Sequence, residues 1–180
     1  LPEADAAGNP AAPRYLDESA LQAPPVALAN AEREALRQAD ALEDMLRTIA
    51  TGFRTEDRDL GRRVARLNEV VDRLNRAVQV YLARLRPETL GEEEQRRIAE
   101  IRAFVLNLES AGDVLERSLS RVAAKWAKDG VRLDAAMMDT IQAMHARGLE
   151  QLQLAVAAFM REDVPAARKL IEEKERMRVE

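Results

Sequence analysis

The chain has 180 residues, which is the size of one domain and enough to bury a substantial apolar core. Its formal net charge of -4, from 28 basic and 32 acidic residues, argues against nucleic acid as the main partner, because phosphate backbones attract a basic excess. The absence of cysteine excludes disulfides, thiolate metal sites and cysteine nucleophiles. High contents of charged and aliphatic residues with 3% aromatics are typical of a helical bundle.

The first 25 residues differ from the rest, because five of the seven prolines lie there. Each proline lacks an amide donor and restricts the residue before it, so no long helix can run through this segment. We therefore predict an extended Pro/Ala-rich linker arm over residues 1–25 and a helical bundle over residues 26–180. The chain begins without methionine, and we expect it to be a piece of a longer protein.

Apolar residues recur at alternating spacings of three and four beyond the arm and predict five helices. Gly52, Pro87 and the Asp129–Gly130 pair predict the ends of the first three. Val122 of the third helix, and Met137 and Met144 of the fourth, are expected to face the core. Long helices with such spacing pack side by side at shallow angles, so the predicted fold class is an all-α antiparallel up-and-down helical bundle. The expected ranges are 25–51, 56–85, 91–128 and 133–161, followed by a fifth helix from 165 onward.

Aspartates flank the apolar seam on three successive helices, at Asp40, Asp72 and Asp113. The same flank carries further polar residues on the second and third helices, among them Asn68 and Glu116. Glu109 precedes Asp113 by four residues, and Asp40 precedes Asp44 by four, so each pair projects from one helix face.

Like charges at this spacing destabilise a helix, and a bound cation with oxygen ligands is one way to offset that cost. The alternative is a solvated face on which arginines neutralise the carboxylates.

Two single residues have alternative interpretations. Gly112 occupies a seam position, where glycine costs about 1 kcal/mol against alanine, so a neighbouring helix is expected to approach closely there. That approach either serves packing alone or brings Glu109 and Asp113 next to another helix. The single histidine, His145, is either a polar residue at the edge of an apolar face or a phosphotransfer residue; the former is the simpler interpretation.

Three segments resemble the helices of PhoU domains. Residues 106–117 are similar to the family's signature helix through Leu108-Glu109 and Gly112-Asp113, although Asn107 and Ser110-Ala111 depart from it. Residues 69–75 and 35–42 are similar to the second and first PhoU helices. Residues 15–29 and 159–175 further resemble bacterial sodium/phosphate cotransporters that carry a C-terminal PhoU-like domain.

This resemblance implies a bundle made of one three-helix repeat plus part of a second. It implies a possible divalent or iron-type metal ion (Fe, Zn or Mg) bound by acidic motifs, with no catalytic residue. The implied role is regulatory, modulating phosphate uptake from the cytoplasmic face of a bacterial inner membrane. The implied partners are a transmembrane transporter portion of the same chain and a second copy of the domain. The candidate metal ligands are Glu109, Asp113, Asp72, Glu69, Asp40 and Asp44.

The alternative is a function of another class. The chain could be a structural helical adaptor or dimerisation module that binds no ligand. In that case the acidic residues would be a solvated surface.

Overall fold

The computed structural model describes residues 9–129 and 134–161 and confirms the all-α helical bundle. The predicted fifth helix lies outside the described residues. Short 3-10 helices span Glu18–Gln22 and Pro87–Thr89. The longer helices within the described ranges are α1 (Pro24–Arg54), α2 (Leu60–Leu82), α3 (Glu92–Asp129) and α4 (Ala135–Arg161).

Helix α1 is the common packing partner, since α2, α3 and α4 all contact it, and α2 also packs on α3. Cross-helix contacts show the directions. Asn68 and Gln79 of α2 bond to α3 in reversed order, at Asp113 and at the carbonyl of Arg102, so α2 and α3 run antiparallel. The side-chain amide of Gln38 on α1 donates a hydrogen bond to the Val105 carbonyl oxygen of α3.

Two helix ends differ from their predictions. Gly52 does not end α1, which continues to Arg54. Instead, a Cβ at Gly52 would lie 2.3 Å from Leu60 Cδ1, so this glycine lets the first residue of α2 pack directly on α1. Helix α2 ends at Leu82, and Pro87 begins a short 3-10 helix, because its fixed φ suits a first turn.

The predicted apolar seams of α1, α2 and the first two-thirds of α3 form the core. Small alanines on α1 lie against larger aliphatic side chains of α2 and α3, which lets the helices approach closely. One part of the core lies near the α1–α2 turn and includes Ala11 of the arm. The other surrounds the start of α1 and the end of α2, where Leu16 and Leu21 of the arm pack against it. Buried seam residues include Ala35, Ala39, Leu42, Leu46, Phe53, Val64, Val71, Leu74, Val78, Ile101, Val105 and Leu108.

Three residues predicted to face the core are exposed instead. Met144 is 69% exposed, and Met137 and Val122 are also exposed. Among the described residues, α4 packs mainly on α1, so only part of its broad apolar surface has a partner. Leu152 and Phe159 of α4 are buried as predicted.

The described part of the arm is docked on the bundle rather than extended away from it. Glu34 of α1 is fully buried and accepts hydrogen bonds from the backbone N–H groups of Arg14 and Tyr15, both at 2.8 Å. Arg37 pairs with Glu34 and donates to the Ala12 carbonyl oxygen at 3.1 Å. The arm therefore covers a charged pair that its own backbone helps to satisfy.

Candidate metal centre

Three carboxylates of α2 and α3 converge on one point between the two helices. Asp72 of α2 and Glu109 and Asp113 of α3 each offer an oxygen, and these oxygens lie within 4.8 Å of one another. All three side chains are half-buried. We call this group the carboxylate cluster.

Gly112 explains how the two helices come close enough. A Cβ at this position would lie 2.3 Å from Asn68 Oδ1, a contact that side chains do not make. The same Cβ would be at ordinary distance from Val71. The close approach predicted at Gly112 therefore exists, and it places Glu109 and Asp113 beside α2.

Asn68 ties α2 to two acidic residues of α3. Its Nδ2 donates to Asp113 Oδ1 at 3.1 Å and to Glu116 Oε2 at 2.8 Å. Asn68 Oδ1 is buried and has no hydrogen-bond partner within the described part of the chain, and the same holds for Asp72 Oδ1. Two buried oxygens beside the cluster therefore lack the donor that such atoms normally have.

The electrostatic environment of Asp72 is unfavourable for its charge. Burial is the main cause that raises the pKa of Asp72, and the nearby Asp113 and Glu109 carboxylates raise it further. Arg76 acts in the opposite direction without cancelling the effect. Arg117 lies 3.9 Å from Asp113 and is largely exposed, so it neutralises the cluster only weakly.

The donor set fits a hard cation. Carboxylate oxygens are the ligands that Mg²⁺, Ca²⁺, Mn²⁺ and iron accept in proteins. Zinc generally prefers nitrogen and sulfur ligands, and the chain has no cysteine and one histidine, which is not in the cluster. Of the predicted ions, magnesium and iron therefore fit better than zinc.

Three predicted ligands lie elsewhere. Asp40 and Asp44 of α1 are exposed and are not part of the carboxylate cluster. Partial loss of hydration at the α1 surface raises the pKa of Asp40, as do the neighbouring Glu43 and Asp44 carboxylates. Glu69 is exposed and pairs with Arg73 along α2. The structure thus brings together acidic residues of two helices, where the sequence predicted three.

Asn68 and Glu116 belong to the site although the sequence analysis did not assign them as ligands. In the sequence, the feature that points to Asn68 and Glu116 is their position on the polar flank of the seam, which they share with Glu109. Pattern alone could not select them, because other polar residues on that flank do not reach the cluster.

His145 is not connected to the carboxylate cluster. It is half-buried on α4, and burial lowers its pKa, with a smaller contribution from Arg47. A neutral imidazole at the edge of an apolar face agrees with the simpler of its two interpretations.

Comparison with known proteins identifies the central part of the bundle. Residues 35–122 match the model of the PhoU domain family. This range contains α2, most of α1 and α3, and all members of the carboxylate cluster. No solved structure matches the chain.

The curated relatives carry the provisional name inorganic phosphate export protein YjbB. The protein from Escherichia coli strain K12 is 40% identical over 169 residues, which is 93% of this chain and 31% of that protein. The protein from Salmonella typhimurium strain LT2 is 38% identical over 167 residues, with the same coverage. The chain therefore spans about a third of the length of the curated relatives it matches.

The prediction of a transmembrane transporter portion within the same chain requires correction. Among residues 9–129 and 134–161, no helix has the length and apolar character needed to cross a membrane. The relatives match 93% of the chain. The partner prediction is therefore corrected: residues 9–129 and 134–161 hold the helical bundle and the docked arm, and no transmembrane transporter portion.

Proposed function

Residues 35–122 form a PhoU domain, and on that premise we propose that the chain regulates the movement of inorganic phosphate across a membrane. The name of the relatives supports export as the direction, whereas the sequence analysis expected uptake. The resemblance of residues 15–29 and 159–175 to sodium/phosphate cotransporters extends the proposal to sodium-dependent transport, controlled from the cytoplasmic side. The proposed role is regulatory and includes no catalytic step.

The observation that carries the proposal is the convergence of Asp72, Glu109 and Asp113 at the α2–α3 contact. The two unpartnered buried oxygens, Asp72 Oδ1 and Asn68 Oδ1, lie at the same contact. A divalent cation bound by these carboxylates would neutralise the charge that now opposes the contact. We therefore propose that the carboxylate cluster is a metal site.

The cluster joins two helices, so its occupancy is a means of regulation. With the carboxylates neutralised, α2 and α3 are held together at this point. Without neutralisation, repulsion among Asp72, Glu109 and Asp113 weakens the contact. The ion would thereby set the rigidity of the surface that the domain presents to a transporter.

The test is a metal titration of the chain purified with chelator and then dialysed, using Mg²⁺, Mn²⁺ and Fe²⁺ separately. We expect calorimetric binding of one of these ions to wild type and at least about tenfold weaker binding to Asp113→Asn and Asp72→Asn. The matched controls are Glu69→Gln and Asp44→Asn, which remove a carboxylate outside the cluster and should leave affinity unchanged.

Two results contradict the proposal. One is wild-type protein that binds none of the three ions while remaining folded by circular dichroism. The other is equal loss of affinity in the control variants. Either result favours the ligand-free structural adaptor. The transport role is tested separately, by phosphate flux in cells that express wild type or Asp113→Asn within the full-length protein, where altered flux is expected.

A further inference from the structure

A second charged feature lies between α1 and α2, and no member of the carboxylate cluster lines it. It is a cleft of about 560 Å³. Arg47 of α1 and Arg63 and Arg66 of α2 line it, together with the hydroxyl-bearing Thr48 and Thr51. We call it the arginine cleft. Arg63 and Arg66 are three residues apart, so both project from one face of α2.

The arginines of this cleft differ in how they are paired. Arg66 is exposed and has no hydrogen-bond or ion-pair partner within the described ranges. Arg47 pairs with Glu43, and Arg63 lies 2.9 Å from Asp57; both arginines are exposed, whereas both carboxylates are half-buried. Arg66 is therefore the guanidinium that is free to meet an anion, and the remaining N–H donors of Arg47 and Arg63 can add contacts while their ion pairs stay in place.

The chemistry of the walls favours a tetrahedral oxyanion. Three guanidinium groups and one carboxylate, that of Asp44, line the cleft. Glu43 and Asp57 pair with Arg47 and Arg63, so Arg66 is the lining arginine without an ion pair in the described ranges. Guanidinium groups donate paired hydrogen bonds to phosphate oxygens, and threonine hydroxyls can donate further ones. Leu67 and Val70 add apolar wall to the cleft.

The docked arm forms another wall of the cleft through Pro10. The Pro10 carbonyl oxygen accepts a hydrogen bond from Arg37 at 2.9 Å, and Arg37 in turn pairs with the buried Glu34. A ligand in the cleft therefore lies beside the docked arm. The cleft and the docked arm are thus neighbouring parts of the structure.

We propose that the arginine cleft binds inorganic phosphate. Only the regulatory role of this binding rests on the proposed function: in a domain that controls phosphate movement, occupancy of the cleft would report the phosphate concentration. The binding itself follows from the arginines and hydroxyls and is independent of the carboxylate cluster.

The test is titration with inorganic phosphate, followed by calorimetry and by ³¹P line broadening, with chelator present so that metal binding plays no part. We expect saturable binding to wild type with millimolar or tighter affinity, weakening as salt is added. Arg66→Gln should weaken it by about tenfold, since one charge-assisted contact is lost. The matched control is Arg62→Gln, which removes an exposed charge of the same helix that does not line the cleft.

Several outcomes overturn the assignment: no saturable phosphate binding, equal weakening by Arg62→Gln and Arg66→Gln, or sulfate binding as tightly as phosphate. Binding to vesicles of anionic phospholipid without binding to free phosphate also overturns it, and shows a membrane-facing surface instead. Because Asp113→Asn leaves the cleft intact, it should bind phosphate as wild type does. The metal titration and the phosphate titration therefore test the two proposals independently.

Discussion

Single residues at the α2–α3 contact determine whether the carboxylates can meet. Gly112 removes a Cβ that would collide with Asn68, and Asn68 then reaches Asp113 and Glu116 with its amide. Asn68 is buried and short, so it has little freedom to move aside. The helix accepts the intrinsic cost of an internal glycine, about 1 kcal/mol, in exchange for this approach.

Replacing Gly112 by alanine is therefore expected to destabilise the chain by about 1–3 kcal/mol despite the better helix propensity of alanine. Affinity for the metal ion should fall as well, because Asn68 and the cluster must shift. Gly61→Ala is the control, since a Cβ there meets nothing within 4 Å, and it should stabilise the chain by about 0.5–1 kcal/mol. Urea denaturation of both variants measures the effect; a Gly112→Ala protein as stable as Gly61→Ala would contradict it.

At the scale of elements, the arm and α1 form one unit through a buried charge. The carboxylate of Glu34 is 0% exposed and is satisfied by Arg37 and by two backbone N–H groups of the arm. Tyr81 of α2 adds a second attachment, because its hydroxyl donates to the Asp17 carbonyl oxygen at 2.7 Å. The described arm is therefore part of the folded bundle, not a spacer beside it.

Glu34→Gln is expected to destabilise the chain by about 2–4 kcal/mol, because Arg37 loses its counter-charge in a mostly buried position. The arm should also become susceptible to limited proteolysis before the helices unfold. Tyr81→Phe should cost about 0.5–1.5 kcal/mol, since it removes the hydroxyl that bonds to the Asp17 carbonyl oxygen and to Asn30. Glu69→Gln, which breaks an exposed pair, should change stability by no more than about 0.5 kcal/mol. Undigested arm in Glu34→Gln would refute the attachment.

At the scale of the whole molecule, acidic repulsion links stability to pH. The folded-state pKa of Asp72 is raised above its ordinary value of 3.8, chiefly by burial and then by Asp113 and Glu109. The folded protein therefore holds this proton more tightly than the unfolded chain does. The free energy of unfolding therefore falls as pH rises from 3.8 through the folded-state pKa of Asp72, and the loss is complete above that pKa.

Without metal, Asp72→Asn should be more stable than wild type at neutral pH, by about 0.5 kcal/mol, because it removes a partly buried charge and its repulsion with Asp113 and Glu109. The difference should vanish as pH falls below 3.8, where the aspartate is protonated in both states. Saturating metal should reverse the order, stabilising wild type by about 2.7 kcal/mol at a hundred times the dissociation constant. Denaturation across pH, with and without the ion, measures all three; a less stable Asp72→Asn at neutral pH in chelator would contradict the account.

The sequence by itself determined the helical architecture and the α3 side of the carboxylate cluster. Spacings of three and four predicted the seams that are buried on α1 and α2, since helix periodicity is a local property of the chain. The four-residue spacing of Glu109 and Asp113 placed both on one face for the same reason. Gly112 in a seam indicated a close neighbour.

Only the tertiary structure decided which polar flanks meet. Asp72 reaches the α3 carboxylates, whereas Asp40 and Asp44 face solvent, because the rotation and pairing of whole helices set that outcome and no local pattern encodes it. The burial of Glu34 depended on a segment some twenty residues away along the chain folding back over it. Likewise, the exposure of Met144 reflects that α4 packs mainly on α1 within the described residues, which an apolar stripe cannot reveal.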